Sequence, residues 1–356
     1  MLPRLKKDSG IILIIVSWIL VILTMLVLGL ARRTNLELNL TKYTVGKSKS
    51  KYIAVAGLIY GVDKILEDTK SSTSGDTKFQ CGFSLGEGQT PEDLFKKIKV
   101  GSGYFDIAYS LPQADKKNQL RYGLEDEESK ININALTPEN YTILEHLIVL
   151  LGYEEGVAQT IASSVLDWRD ENDDVFNNPF GAENSYYLSL AKSYPCKNQP
   201  FDSLEELLLV RGMTADIFKS IKPYVTIFPR NNRLLINFDT ASVLVLQAMA
   251  RSMTTLTNTA LEDADNLAKK MDDLRRGEDG LLATADDKPI ETMEMMNHIN
   301  VNNEGSIFSL MSRDQTKISS YLRLKIKGVD EDTGVSSLIE AVVHRDDFSI
   351  VYWHRS

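Results

Sequence analysis

Between Ile11 and Leu30 the chain reads IILIIVSWILVILTMLVLGL, 20 residues without a single charge. At about 1.5 Å of rise per residue, a helix of that length spans the ~30 Å hydrocarbon layer of a bilayer. The run therefore reads as a membrane helix. A cleavable secretory signal has an apolar core of only about 7–15 residues, although Gly29-Leu30-Ala31 imitates a small-residue cleavage site. Arg4, Lys6 and Lys7 precede the run and Arg32 and Arg33 follow it, so the excess of positive charge that normally sets orientation is weak here.

The rest of the chain has the composition of a folded protein. With 356 residues, 43% of them hydrophobic and 25% charged, it has room for two domains or for one domain with a large insertion. The net charge of −9 opposes general nucleic-acid binding, which depends on Lys and Arg neutralising phosphates. Its four histidines, His146, His298, His344 and His354, are scattered without metal-ligand spacing, which disfavours zinc sites and histidine-based triads.

Beyond the membrane run, Tyr52, Val55, Ala56, Ile59, Val62 and Leu66 recur at steps of three and four. This spacing extends the helix and gives it an apolar face that requires a soluble partner. Thr69 to Thr77 breaks the pattern with Ser, Gly and Asp, Thr90-Pro91-Glu92-Asp93 signals a helix start, and Tyr104 to Leu111 alternates as a strand. At the far end, Tyr321 to Ile326, Ser337 to Arg345 and Phe348 to Trp353 read as successive strands, with Gly328 and Gly334 in the first connection. Strands thus bracket a mainly helical stretch. The expected class is α+β: a long N-terminal helix on a small antiparallel sheet, with a large inserted helical domain. The expected boundaries are a leader at 1–10, the membrane helix at 11–31, helix and first strands at 32–130, the insertion at 131–311, and returning strands at 312–356.

A short repeat marks the insertion. Ile131-Asn132-Ile133-Asn134-Ala135-Leu136-Thr137 recurs 105 positions later as Ile236-Asn237-Phe238-Asp239-Thr240-Ala241-Ser242, each ahead of an apolar helical pattern. Thr137 and Ser242 are natural N-caps. Between the copies, Ser203-Leu204-Glu205-Glu206 is a capping box that opens a helix through Val210, Gly212 closes it, and Thr214 caps another helix. Such a helix–hairpin–helix raises DNA binding, with Arg211 and Lys219 supplying charge. Glu205, Glu206 and Asp216 oppose that reading, and packing explains the hairpin better.

Asp167, Asp170, Glu171, Asp173 and Asp174 place five acids within eight residues. Oxygen ligands at this density suit calcium, and Asp170, Asn172 and Asp174 copy the first three ligand positions of an EF-hand loop. The copy then fails: Val175 takes the glycine position and Gly181 the place of the bidentate glutamate, which leaves Glu183 to serve through another loop geometry. A solvated acidic loop fits the same residues. Glu278, Asp279, Asp286 and Asp287 pose the same alternatives as a second candidate site. No nucleophile–base pairing that would identify an enzyme is visible.

The series Asp126-Glu127-Glu128-Ser129-Lys130-Ile131-Asn132, Asp167-Trp168-Arg169-Asp170, Gly181-Ala182-Glu183, Ser203-Leu204-Glu205-Glu206-Leu207 and Val210-Arg211-Gly212-Met213-Thr214 resembles the K-type minor pseudopilins of type II secretion, general secretion pathway protein K. The resemblance covers nearly the whole chain. It implies a pilin-like helix and sheet with inserted helix–hairpin–helix or SAM-like units, and a non-enzymatic role at the pseudopilus tip with I-, J- and H-type minor pseudopilins. It implies a prepilin peptidase cut between Gly10 and Ile11, a single pass through the inner membrane, a cytoplasmic N-terminus and a periplasmic globular part. Most pilin-like chains have glutamate as the fifth mature residue, whereas Ile15 stands there, as suits a subunit with no neighbour above it. The resemblance also implies calcium in the insertion, for which Asp170, Asn172, Asp174 and Glu183 are the expected ligands and Asp167 orients the loop. In an oxidising periplasm Cys81 and Cys196, the only cysteines, are expected to pair, the alternative being two separate buried thiols. A membrane-anchored DNA receptor of the competence type is the alternative function.

Overall fold

The apolar run and the amphipathic segment behind it form one uninterrupted helix, α1 (Ser9–Ser71), in the computed structural model, which describes residues 9–71, 90–113, 116–230, 233–278, 280 and 288–356. Residues 10–45 of α1 are exposed on every side, and this is the one helix among the described residues long and apolar enough to cross a membrane. Further along, Ile53, Ala54, Gly57, Leu58, Gly61 and Ile65 settle onto a sheet at helical spacing. The stripe singled out in the sequence divides: Tyr52 is 69% and Ile59 66% exposed, while Val55 and Val62 pack partly against the sheet core.

The sheet begins after the short helix α2 (Pro91–Phe95), which starts where expected and carries a Thr90–Asp93 capping box. Strands β1 (Ile98–Val100), β2 (Gly103–Gln113), β3 (Lys116–Tyr122) and β4 (Glu125–Asp126) precede the insertion. Within the insertion lie β5 (Ile131–Asn132), α3 (Thr142–Leu150), α4 (Glu155–Asp167), α5 (Asn184–Leu188), α6 (Ala215–Ile221) and β6 (Val225–Thr226). They are followed by β7 (Ile236–Asn237), α7 (Val243–Thr257), α8 (Leu261–Arg275), α9 (Thr292–His298), α10 (Glu304–Met311) and β8 (Gln315–Thr316). The chain then returns through β9 (Tyr321–Asp330), β10 (Ser336–His344) and β11 (Ile350–Arg355). The order β1-β2-β9-β10-β11 is antiparallel throughout, with β3 paired to β2 and β4 to β9. Gly328 lies inside β9, not in the connection where the sequence reading put it, because a side chain there would run into the backbone of Ser50 and Ala54 on α1. Gly334, at φ +69°, does make the turn.

The repeated heptapeptide marks a repeated unit. β5 pairs in parallel with β6, and β7 with β8. In each unit the strand ends on an Asn whose side-chain oxygen accepts an N–H two residues on, from Asn134 to Asn132 at 2.9 Å and from Asp239 to Asn237 at 3.1 Å. A helical hairpin follows, α3–α4 or α7–α8. An arginine at its end reaches back to the turn: Arg169 donates to the Ile133 carbonyl and, at 2.7 Å, to that of Leu136, while Arg275 donates to Phe238 at 3.0 Å and to Ala241. Ser242 caps α7 through Val245 N–H at 3.3 Å. Thr137 falls short as a cap, since α3 begins only at Thr142 and the Thr137 hydroxyl accepts from Glu139 N–H within the preceding turn. Leu204–Leu209, expected as an α-helix, is a 3-10 helix that ends on an extended Val210.

Four consecutive acids tie the insertion to the sheet. Glu125 pairs with Lys130 at 2.9 Å and Lys325 at 2.6 Å. Asp126 accepts from Asn237 at 3.2 Å, Thr240 at 2.5 Å and Ser319 at 2.6 Å. Glu127 holds Arg323 and Thr226, and Glu128 accepts the Ser320 N–H. Outgoing strand, both repeat units and returning strand meet at this point.

Candidate cation site in the inserted helices

Asp167 ends α4 and is fully buried. Its Oδ1 accepts the Phe176 N–H at 2.9 Å, while Oδ2 has no hydrogen-bond partner. Gly181 makes this possible: a Cβ there would collide with Asp167 Oδ2 and with the Phe176 carbonyl. Two residues on, Glu183 precedes α5 in the N-cap position, but its carboxylate caps nothing. It is 1% exposed and both its oxygens are without partners. Asp170, half-buried one turn after Asp167, contributes another unpartnered oxygen. One oxygen from each of the three residues lies within 4.8 Å of the others.

Bare carboxylates in such a place are costly. Burial drives Asp167 up to about 6, and burial together with the charges of Asp167, Asp170 and Asp173 drives Glu183 up to about 8. A divalent cation removes both costs, and an all-oxygen donor set of this kind suits calcium. The residues fit the ion.

The sequence reading and the geometry share Asp170 and Glu183. Asp167, expected to orient the loop, places an oxygen within the same 4.8 Å cluster. Asn172 and Asp174 are exposed; Asp174 is not among the three clustered acids, and the Asn172 side-chain oxygen accepts the Asp174 N–H at 2.7 Å, closing a local turn. The sequence reading missed Asn198, whose Oδ1 is also buried without a partner while its Nδ2 donates to the Asn172 carbonyl at 3.4 Å. An Asn in left-handed conformation between Lys197 and Gln199 has no local signature that would reveal this.

In the second candidate site, Glu278 is exposed, and Asp279, Asp286 and Asp287 lie outside the described residues. Cys196 is a buried free thiol that donates to the Asp167 carbonyl at 3.6 Å, and burial pushes it up to about 12. Cys81 lies outside the described residues. Gly10 and Ile11 stand in the exposed first turns of α1. Arg211, on which the nucleic-acid reading leaned, is turned inward: it donates to the carbonyls of Pro179 and Gly181 and covers the Tyr186 ring. Lys219 remains exposed.

These features define a class: a protein with one long helix, apolar enough at its start to cross a membrane and packed further along on an antiparallel sheet, with a duplicated helical unit inserted into the sheet and acidic loops between its helices. Residues 129–230 match the family model described as type II secretion system (T2SS), protein K. Type II secretion system protein K of Aeromonas hydrophila is 27% identical over 241 residues, 67% of this chain and 69% of that protein. The Klebsiella pneumoniae protein of the same name is 24% identical over 62% of each chain, and that of Pectobacterium carotovorum subsp. carotovorum 30% identical over 32% of each. The fold also matches a chain in the crystal structure of the GspK-GspI-GspJ complex from the enterotoxigenic Escherichia coli type 2 secretion system, with a TM-score of 0.60 at 17% identity over 89% of this chain and 99% of that one. Residues 129–230 thus carry the type II secretion system protein K domain, and the chain around them is similar to proteins of that name.

Proposed function

We propose that the chain sits at the tip of the pseudopilus, helps to initiate its assembly, and so serves the passage of folded proteins across the outer membrane. The observation that carries this reading is the outward stripe of α1. Tyr52 and Ile59 are exposed, Ala56 and Leu66 lie half-buried along the same side, Val55 and Val62 at its edge also pack against the sheet core, and the sheet is covered by another face of the helix. An apolar helix stripe of this period fits a partner helix. The partners are the I-, J- and H-type minor pseudopilins; the solved complex of GspK with GspI and GspJ supports the first two. The inserted units, helix–hairpin–helix or SAM-like in kind, are too bulky for a filament shaft and suit its end. Ile15, in place of an acid, agrees.

In this reading prepilin peptidase cuts between Gly10 and Ile11, α1 anchors the chain in the inner membrane with its N-terminus in the cytoplasm, and the globular part is periplasmic. Calcium is held by Asp167, Asp170 and Glu183 and stabilises the insertion. No observation favours the DNA-receptor alternative. A photocrosslinker placed at Ile59 in cells producing the I- and J-type proteins should capture one of them, and loss of the chain should stop secretion of a folded substrate. Secretion that continues at full rate without it would sink the proposal.

A further inference from the structure

The geometry points to Arg211 as the positioning residue of the cation site. Arg211 comes from the hairpin turn between Leu204–Leu209 and α6, where Gly212 at φ +83° reverses the chain. Its Nη1 gathers three consecutive carbonyls, Gly181 at 2.8 Å, Pro179 at 3.1 Å and Phe180 at 3.5 Å. The guanidinium lies 4.9 Å from the centre of the Tyr186 ring, and the Arg211 N–H donates to the Tyr187 hydroxyl at 3.3 Å. These contacts clamp the backbone immediately before Glu183 from one side and α5 immediately after it from the other.

Arg211 forms no ion pair with Asp167, Asp170 or Glu183 among the described residues, so it acts on them through the backbone. Gly181 is the link. It accepts from Arg211 and is packed against Asp167 Oδ2, so a shift of its carbonyl moves the wall against which that oxygen is set and the residue that introduces Glu183. Arginine is suited to this task because one rigid fork meets several acceptors while a planar face stacks on an aromatic ring. Outer groups that orient metal ligands in this way typically change affinity by about 10–100-fold when removed.

The inference rests on the calcium reading of Asp167, Asp170 and Glu183, and one experiment separates the two. Full-length chain in detergent is titrated with terbium, read by emission sensitised through the neighbouring Trp168, and then with calcium in competition. Wild type should bind, Arg211→Met should bind about tenfold more weakly, and Arg211→Lys, which keeps the charge but reaches fewer carbonyls, should fall between them. Tyr194→Phe is the control. It removes another anchor of the same hairpin, the hydroxyl that donates to the Leu209 carbonyl at 2.8 Å, and should lower the melting temperature without changing affinity. If Arg211→Met does not fold, Arg211→Lys carries the comparison. Unchanged affinity in the folded Arg211 variants, or an equal loss in Tyr194→Phe, overturns the positioning role while leaving the calcium reading intact. A wild type that binds neither ion overturns both.

Discussion

Glu183 and Asp174 are both acids of the same loop region, yet the fold treats them oppositely: Glu183 is buried with no partner and Asp174 is at the surface. At free calcium about one hundred times the dissociation constant, mass action adds roughly 2.7 kcal/mol to stability. Glu183→Gln should therefore abolish the calcium-dependent rise in melting temperature of the full chain, whereas Asp174→Asn should retain it; the reverse result would return the site to the EF-hand spacing. The sequence displayed the cluster of acids and named Asp170 and Glu183 in it, but also drew in Asn172 and Asp174 by their spacing. EF-hand spacing is local grammar, whereas Asp167 and Glu183 meet only because Gly181 lets the chain fold back over the end of α4. Glu128 is a second case that composition hides. Burial, then the charge of Asp126, pushes it up to about 8. A carboxyl raised in the folded state contributes stability that is complete below its unfolded value, near 4.5, and is lost as pH rises through about 8. Glu128→Gln, which keeps the neutral form, should gain stability relative to wild type as pH is raised from 5 to 9, by thermal melts across that range. A constant difference between the two proteins would show that Glu128 does not titrate there.

At the scale of elements, α1 shows how far periodicity reads. The sequence exposed the Tyr52–Ile59–Leu66 stripe because its residues are large. The face that packs on the sheet passed unnoticed because it is built from Ala54, Gly57 and Gly61 beside Ile53, Leu58 and Ile65, and small residues carry little hydrophobic signal. Strand β3, KKNQLRY, was missed for a related reason: it is polar and pairs only with β2. The repeated heptapeptide was legible, but Arg169 and Arg275, which reach back to both copies, were not, since their partners are backbone carbonyls far away in sequence. The close approach of α1 gives a direct test. A Cβ at Gly57 would stand 2.6 Å from Ile326 Cγ2 and 2.9 Å from the Phe105 ring, whereas one at Gly156 in α4 meets nothing within 4 Å. Alanine gains up to about 1 kcal/mol over glycine in a helix, and overpacking a core costs about 1–3 kcal/mol. Gly57→Ala should thus lose roughly 1 kcal/mol while Gly156→Ala gains a few tenths, measured by denaturant unfolding. Equal gains at both positions would mean that α1 does not lie this close to the sheet.

For the whole molecule, two cores and the contacts between them decide what the chain can do. α1 and the sheet form one core and the duplicated helices the other, and the two meet through the acids Glu125 to Glu128 and through apolar contacts of Val342, Tyr321 and Tyr352 with the insertion. On the outward side of α1, Tyr52 and Ile59 remain exposed. Substitutions at exposed positions generally change stability by less than about 0.5 kcal/mol, so Tyr52→Glu with Ile59→Glu should leave the fold intact. An aromatic and a branched aliphatic anchor at the centre of a helix pair are each worth about 2 kcal/mol or more, which predicts a loss of well over tenfold in partner recovery. The most direct measurement is co-purification of the full chain from membranes with the I- and J-type minor pseudopilins, wild type against this double variant. Wild type should bring down both partners and the folded variant almost none. Recovery of both at wild-type yield would contradict the assignment of this stripe as the joining face of the tip.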